Sequence, residues 1–480
     1  MIARARVVPA LLGLALTGSV LTAATDVSAS AAYEAQAPTA GSTGIGDPYF
    51  PQDGNGGIDV LHYDIHDSYA FGSGRLSGKT KLDLRATQEL SRFDLDFLLP
   101  VRSVKVDGRR AKFQQTGAHE LRIAPAAPIA TGQQVRVVVK YAGVPAQESS
   151  GGESNWLASD TEVVAMNEPH MAAWWFPAND HPLDKATFDI SITVPKGKDV
   201  IANGVLVDRS KRRGRATTHW RADEPMASYL AFFAAGSFET RSGTYNGRPY
   251  YVAVSNGVPE PLHKDSMTLM LRSGEITAWL ESQLGPYPFS TTGGLVTSLP
   301  VTFALENQTR PTYPAVGSSN VPLVVHELAH QWFGDSVSVS AWRDIWLNEG
   351  FAQFIQNYYT FEVTGGRSMQ DWLTGTYDAF HNEDGFWKLA VDDPGPARLF
   401  DNAVYSRGAM ALQALRHRIG DPAFWTLLRT WLAQRAYGNG SDADFEALAT
   451  SVSGQDLTAF FDAWLHQPVV PAKSAANGLV

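Results

Sequence analysis

The 480-residue chain contains no cysteine. Disulfides are therefore excluded, as are thiolate metal ligands and a cysteine nucleophile. A chain of this length has room for a core that holds without disulfides, even outside the cell. Positive charge is also scarce: 39 Lys and Arg stand against 49 Asp and Glu, a net charge of −10. That balance gives no electrostatic reason to expect a nucleic-acid partner, and it mildly favours cationic ligands. Beyond the N-terminus no long apolar run exists, so a soluble mature protein is expected.

The N-terminus itself has the layout of a secretory signal. Arg4 and Arg6 make a positive start, Val7 to Ala24 is mostly apolar, and Ala29-Ser30-Ala31 offers a small-residue cleavage site. Residues 1–31 are read as a signal peptide, with a secreted, extracellular product and no stable membrane association after cleavage. The alternative is an uncleaved anchor, because the run is near the minimum spanning length. The two arginines are not adjacent, so a twin-arginine signal is not supported.

Periodicity divides the rest. Residues 32–57, rich in Ala, Gly, Pro and Ser, read as a flexible lead-in. Strand patterns follow. Val60 to Ile65 opens the first; Phe93, Leu95 and Phe97 alternate with Asp94 and Asp96 as a half-buried strand; Val104 to Val106 runs into the hairpin signal Asp107-Gly108. Val135, Val137 and Val139 alternate again, and further strands are expected at 188–194, 200–207, 229–233 and 250–255. Residues 58–240 thus read as an antiparallel β-sandwich or saddle. Helical patterns dominate 241–471, with helices expected at 262–284, 322–334, 349–363, 368–380, 405–419, 422–436 and 442–452. The tail after Pro468, residues 472–480 in particular, reads as loosely structured. The fold class is α+β.

Within the helical half, Val324 to Asp335 reads V-V-H-E-L-A-H-Q-W-F-G-D, and W-L-N-E-G-F-A follows from Trp346. Residues four apart on a helix share one face, so His326 and His330 can grip one ion. Zinc suits two imidazoles and a carboxylate, with the fourth position open for water. Glu349 follows His330 after eighteen intervening residues, far enough along to lie on a second helix facing back, and it is read as the third ligand. Glu327 sits beside the pair, where a general base is needed. Apolar flanks at Leu323, Val324, Val325, Leu328, Trp332 and Phe333 bury this helix, and burial of His and Glu without partners is costly.

Together with three other motifs, this stretch resembles the aminopeptidase N family of zinc metallopeptidases, the gluzincins that also include the leukotriene hydrolase. The resemblance runs from about Gly56 to Pro471. It implies His326, His330 and Glu349 as ligands of one zinc ion per chain and Glu327 as the base. Phe303-Ala304-Leu305-Glu306-Asn307 is similar to the family's G-x-M-E-N signature, with Phe303 in place of Gly and Leu305 in place of Met. It implies that Glu306 grips the substrate's free α-amine and that Ala304 and Asn307 border the substrate. Asn167-Glu168-Pro169, with Phe176-Pro177-Ala178-Asn179-Asp180-His181-Pro182, resembles an N-terminal-domain run in which Glu168 is the second amine-binding residue. Ala173 stands where the family usually has Arg, and Met166 where it has Gln. Tyr405-Ser406-Arg407-Gly408 resembles Y-x-K-G, implying Tyr405 as the transition-state donor, with Arg407 in place of Lys. His170 and His181 are read as structural or outer-shell residues, and Asp344 as orienting a zinc histidine or capping a loop. The sequons Asn307-Gln308-Thr309 and Asn439-Gly440-Ser441 are present.

The resemblance implies a β domain followed by a mainly α thermolysin-like catalytic domain, acting on peptide substrates with a free N-terminus. Two carboxylates suit a peptide's cationic amine. A thermolysin-type endopeptidase and an epoxide hydrolase on the same scaffold remain as alternative activities, and a zinc-silent binding protein as a non-enzymatic one. Larger family members carry further domains; here the chain ends soon after Trp464, so the expected cleft is more open, closed by a loop, or covered by a partner subunit. Oligomeric state, preferred N-terminal residue and physiological substrate are not encoded legibly.

Overall fold

The computed structural model describes residues 38–480. The expected signal segment and the first residues of the lead-in lie outside the described residues. Alternating patterns build the strands of the N-terminal half. Ile58–Ala70 buries Val60, Tyr63, Ile65 and Tyr69, and it pairs antiparallel with Arg75–Ala86. These two strands sit centrally in an eight-stranded sheet. Its order is Val205–Arg212, Arg215–Ala227, Lys185–Pro195, Ile58–Ala70, Arg75–Ala86, Gln134–Gly143, Val101–Val106, Arg109–Arg110. The expectation of an all-antiparallel domain fails at one seam: Lys185–Pro195 runs parallel to Ile58–Ala70. Parallel neighbours need a long crossover, and the 114 residues between Ala70 and Lys185 supply it, running through other strands of this sheet and through strands of two four-stranded ones. The Asp107-Gly108 hairpin forms as expected, with φ of 47° and 77°, the positive pair that a tight hairpin turn requires.

Two other expectations need correction. Leu90–Asp96 is not half-buried: Asp94 and Asp96 are as buried as Phe93 and Leu95. Other parts of the molecule cover these two carboxylates: Asp96 Oδ2 accepts from Asp180 N–H at 2.7 Å, and Asp94 Oδ2 accepts from the Arg122 guanidinium at 3.4 Å. Residues 38–57 are likewise not a loose lead-in. Thr39–Ala40 pairs with Leu90–Asp96. The carboxylate of Asp47 accepts from the N–H groups of Tyr49 (2.8 Å), Phe50 (3.0 Å) and Trp342 (2.8 Å), and lies 3.1 Å from His181 Nε2. Burial would raise its pKa, but these donors hold it down at about 2. Composition marked this stretch as flexible because it is rich in small residues; a buried, charge-assisted anchor overrides that tendency.

The second half holds helices α1 (Leu262–Met270), α2 (Ser273–Leu284), α3 (Val321–Ala329), α4 (Trp346–Asn357), α5 (Met369–Phe380), α6 (Asp384–Trp387), α7 (Asn402–Ile419), α8 (Asp421–Gln434) and α9 (Asp442–Ser453). The single helix expected over 262–284 is two, broken at Leu271-Arg272. A four-stranded sheet, Phe238–Tyr245, Arg248–Ser255, Thr292–Val296, Thr312–Tyr313, lies beside them. The tail also packs: Trp464 Nε1 donates to the Asn477 carbonyl at 3.1 Å, and Leu479 is buried. Buried apolar side chains form one core running through both halves. Among the described residues no helix is long and apolar enough to cross a membrane.

Buried cations bind the pieces together. Lys185, at the start of its strand, donates to the carbonyls of Asp335 (3.0 Å), Ser336 (2.9 Å) and Gly438 (2.9 Å) in the helical half. Arg310 bonds the carbonyls of Ala202, Gly204 and Tyr251 and lies over the Trp220 ring. Arg407 on α7 is fully buried and donates to six carbonyls, those of Trp387, Leu389, Ala463, Trp464, Gln467 and Val469. A lysine has three donors and no planar fork, so Arg and Lys are not equivalent here. Arg407→Leu leaves these carbonyls without their donor. It is expected to lower the unfolding free energy by about 3 kcal/mol or more, with a smaller loss for Arg407→Lys; urea unfolding of both variants checks this.

Candidate active site

α3 is short, and it places the metal-binding residues through the way it ends. Pro322 occupies its first turn, where a missing N–H is tolerated. Val324, Val325, Leu328 and Ala329 bury it. The helix stops at Ala329, five residues before the expected end at Gly334, and His330 is its C-cap, still in helical conformation. The His330 N–H reaches the His326 carbonyl at 3.3 Å, so the four-residue spacing holds, and the two imidazole centroids lie 4.8 Å apart. Early termination has a use. The Phe333 carbonyl is not consumed by a continuing helix and lies 3.0 Å from His330 Nδ1. An Nδ1–H bonded there leaves the Nε2 lone pair free for a cation.

Glu349 enters from the first turn of α4. Its Oε2 lies 3.3 Å from His326 Nε2 and 3.4 Å from His330 Nε2. Ligands about 2.0–2.1 Å from a tetrahedral zinc ion stand roughly 3.3 Å apart, so the spacing fits that ion. All three residues are buried, and one donor atom of each lies within 4.8 Å of the others. Burial would raise the Glu349 pKa, but the His330 and His326 rings hold it down at about 2. The carboxylate is thus ionised and able to ligate.

What brings α4 to this point is its crossing with α7. Gly350 and Gly408 meet there: a Cβ on Gly350 would lie 3.1 Å from Gly408 Cα, and one on Gly408 would lie 3.0 Å from Gly350 Cα. Only two glycines allow backbones this close. Gly350 adjoins Glu349, and Gly408 is one turn from Tyr405. The crossing therefore sets the distance between a metal ligand and the Tyr405 ring, which stacks near His326 with centroids 6.1 Å apart.

These residues line a cavity of about 430 Å³ with Asn167, Glu168, Phe303, Ala304, Leu305, Glu306, Leu323, Glu327, Gln353, Gln356 and Phe400. Glu306, Glu327 and His330 also converge within 4.8 Å. Burial pushes the Glu327 carboxyl well above its ordinary range. Glu168 is pushed up by burial, then by Glu306 and Glu349, and its Oε1 has no hydrogen-bond partner. Glu306 is raised by burial, and Tyr229 donates to its Oε1 at 3.3 Å.

Some of the residues singled out in the sequence stand elsewhere. Asn307 is fully buried behind the wall and does not face the cavity. Its Oδ1 accepts from Thr312 Oγ1 at 2.9 Å and its Nδ2 donates to the Leu230 carbonyl at 3.2 Å, because the local bridge between Leu305 and Thr312 turns it inward. Asp344 does not orient a zinc histidine. It sits in the turn before α4, where burial raises its pKa to about 6 and Asp442 and Arg343 are its neighbours. His170 and His181 bond carboxylates of the N-terminal stretch, Asp53 and Asp47 respectively. Conversely, Tyr229 and Gln331 escaped notice. Gln331 Nε2 donates to the Glu306 carbonyl at 2.9 Å, and its Oε1 accepts from Thr309 N–H at 2.7 Å, tying the Glu306 segment to α3. Its place directly after His330 was a usable signal; Tyr229 had none.

Two family profiles match the chain: the peptidase family M1 domain over residues 292–464, and the peptidase M1 N-terminal domain over residues 60–230. The chain belongs to peptidase family M1. Among relatives of this M1 chain, the leucyl aminopeptidase of Saccharolobus solfataricus is 24% identical over 443 residues, which cover 86% of this chain and 54% of that protein. Aminopeptidase N of Lactococcus lactis is 26% identical over 409 residues, covering 78% and 47%. The chain spans about half the length of the curated relatives it matches. An M1 zinc metallopeptidase from Deinococcus radiodurans is similar in structure, with a TM-score of 0.80 and 28% identity, covering 89% of this chain and 99% of that one. A variant of it bound to a Tyr-Ser-Ala substrate gives a TM-score of 0.79. Family and donor set agree on zinc as the cofactor. The overall class is α+β, a sheet-rich N-terminal region followed by a helical M1 peptidase region.

Gly408→Ala tests the helix crossing. The added methyl meets backbone, so α7 has to shift by a few tenths of an ångström. We expect zinc content to be kept and turnover to fall roughly tenfold, since small displacements of positioned groups have large kinetic effects. Metal analysis and steady-state kinetics on one preparation check both parts.

Proposed function

We propose that this chain is a zinc-dependent aminopeptidase that hydrolyses the first peptide bond of peptides with a free N-terminus. The observation that carries this reading is the pair Glu168 and Glu306 on the wall of the cavity that also holds the His326–His330–Glu349 donor set. Both carboxyls are raised by burial, so a cation placed between them is bound strongly. A peptide's α-ammonium is such a cation. Anchoring it there measures off one residue before the scissile bond.

When bound, zinc polarises a carbonyl and acidifies water. The protein's own groups do the rest. Glu306 and Glu168 hold the ammonium, with Tyr229 and Gln331 fixing Glu306. Ala304 and Phe303 border the substrate on the same wall. Glu327 takes a proton from the attacking water and returns it to the departing amine nitrogen. Tyr405 donates its hydroxyl proton in a hydrogen bond to the oxyanion that develops on the scissile carbonyl, a contact that gains strength as charge builds.

A panel of aminoacyl fluorogenic substrates and matched N-acetylated peptides, with and without chelator, tests the reading. Free-amine substrates should be cleaved, acetylated ones spared, and chelator should abolish turnover. Cleavage of acetylated peptides would instead point to an endopeptidase. Glu306→Ala should raise KM for free-amine substrates about tenfold or more; an unchanged KM refutes the anchor.

We also infer export from the cell. The support is the order of Arg4 and Arg6, the apolar run to Ala24 and Ala29-Ser30-Ala31. N-terminal sequencing of protein from culture supernatant should begin just after Ala31, whereas an intact Met1 terminus on a cell-bound protein would contradict it.

A further inference from the structure

A second set of potential metal ligands lies in the N-terminal half. Asp96 ends the strand Leu90–Asp96 and stands directly opposite Glu120 on the neighbouring antiparallel strand Glu120–Ala124. Like charges in directly opposed positions repel. Here both are buried, Asp96 1% and Glu120 4% exposed, so water does little to screen them.

The hydrogen bonds do not account for this pair. Asp96 Oδ2 accepts from Asp180 N–H at 2.7 Å and Asn55 Nδ2 at 3.2 Å. Asp96 Oδ1 meets only the His119 ring, and neither oxygen of Glu120 has a hydrogen-bond partner. His119 completes the group. Its Nε2 lies 3.3 Å from Asp96 Oδ1, 3.8 Å from Asp53 Oδ1 and 3.2 Å from the Gln52 carbonyl oxygen, and its Nδ1 lies 3.1 Å from Ser150 Oγ. One donor atom of each of Asp96, His119 and Glu120 lies within 4.8 Å of the other two.

The surrounding charge is unbalanced. Asp53, Asp94, Glu153 and Asp180 adjoin, while His119, His170 and Arg122 are the cations that pair with the group. Six carboxyl groups, with Asp96 and Glu120 counted, thus face three cationic side chains. Burial, with Asp96 beside each, raises Glu120 to about 8 and Asp180 to about 7. A cavity of about 300 Å³, lined by Asp53, Asp96, His119, His170 and Asp180, opens beside the group and offers a route in.

We propose that Asp96, His119 and Glu120 form a second cation site, separate from the catalytic one, for a divalent transition metal of the zinc or manganese type. An imidazole among carboxylates selects such ions, whereas calcium and magnesium favour all-oxygen shells. Binding displaces the His119 Nε2 proton and the proton that the buried Glu120 carboxyl carries near neutral pH, both leaving to solvent, while Nδ1–H donates to Ser150 Oγ and fixes the ring. The ion bridges the two strands and cancels the repulsion between Asp96 and Glu120. Through Asp53 and Asn55 it also ties the N-terminal stretch to that sheet.

The test uses the full chain with the catalytic ligands removed, His326→Ala/His330→Ala, dialysed against micromolar zinc or, separately, manganese. One equivalent of at least one ion should remain bound, and adding Glu120→Gln should abolish it. Glu120→Gln alone should lower the metal content of the otherwise intact chain from two equivalents to one, with turnover retained. Because that change also removes a buried like-charge contact, its metal-free melting temperature should equal or exceed the parent's. The bound ion should raise the melting temperature of the parent and leave the variant's unchanged. If the double-alanine protein binds neither ion, or Glu120→Gln leaves metal content unchanged, the proposal is overturned.

Discussion

Two imidazoles from the end of one short helix and a carboxylate from the next, all buried, converge, with the carboxylate oxygen within 3.4 Å of both Nε2 atoms. Burying such groups is unfavourable without a cation between them. The surrounding fold is therefore arranged to hold three donors at the spacing that an ion needs. α3 ends at Ala329, which frees the Phe333 carbonyl for His330 Nδ1. The loop beyond it is gripped by Lys185 through the Asp335 and Ser336 carbonyls. α4 is set by its glycine contact with α7, and its lead-in turn is held by Asp47 at Trp342 N–H.

The sheet-rich half is a working part of the site. Glu168 and Tyr229 both come from it, and Glu306, with its carbonyl fixed by Gln331, faces them from the other half. Carboxyls raised by burial gain most from a cationic group placed between them. Arg407, standing where the related motif usually has Lys, belongs to a different layer of the design. It faces away from the cavity and satisfies six carbonyls, so the Tyr405–Gly408 motif combines a cavity-lining tyrosine, a structural cation and a close-contact glycine within one turn.

Local rules carried the sequence reading a long way. The spacing of His326 and His330, the apolar flanks of α3, the Asp107-Gly108 hairpin and the α5, α7, α8 and α9 patterns each depend on contacts within a few residues. They were legible because helix periodicity and turn chemistry are short-range. The failures share an opposite cause. Residues 38–57 look flexible by composition, yet Asp47 is anchored by a residue almost three hundred positions away. Asp94 and Asp96 alternate with apolar residues as if one face were wet, yet a second layer covers that face.

By itself, then, the chain determined its metal-binding residue types, their helical phase and the order of sheet-rich and helical regions, because periodicity and motif spacing are properties of neighbours. Only the tertiary structure decided which carboxylates face the cavity, that the Asn307 amide turns inward, and that Asp96 and Glu120 stand opposed across two strands. Those outcomes depend on which distant strand or helix arrives alongside, and burial, not residue type, then sets what each charge can do.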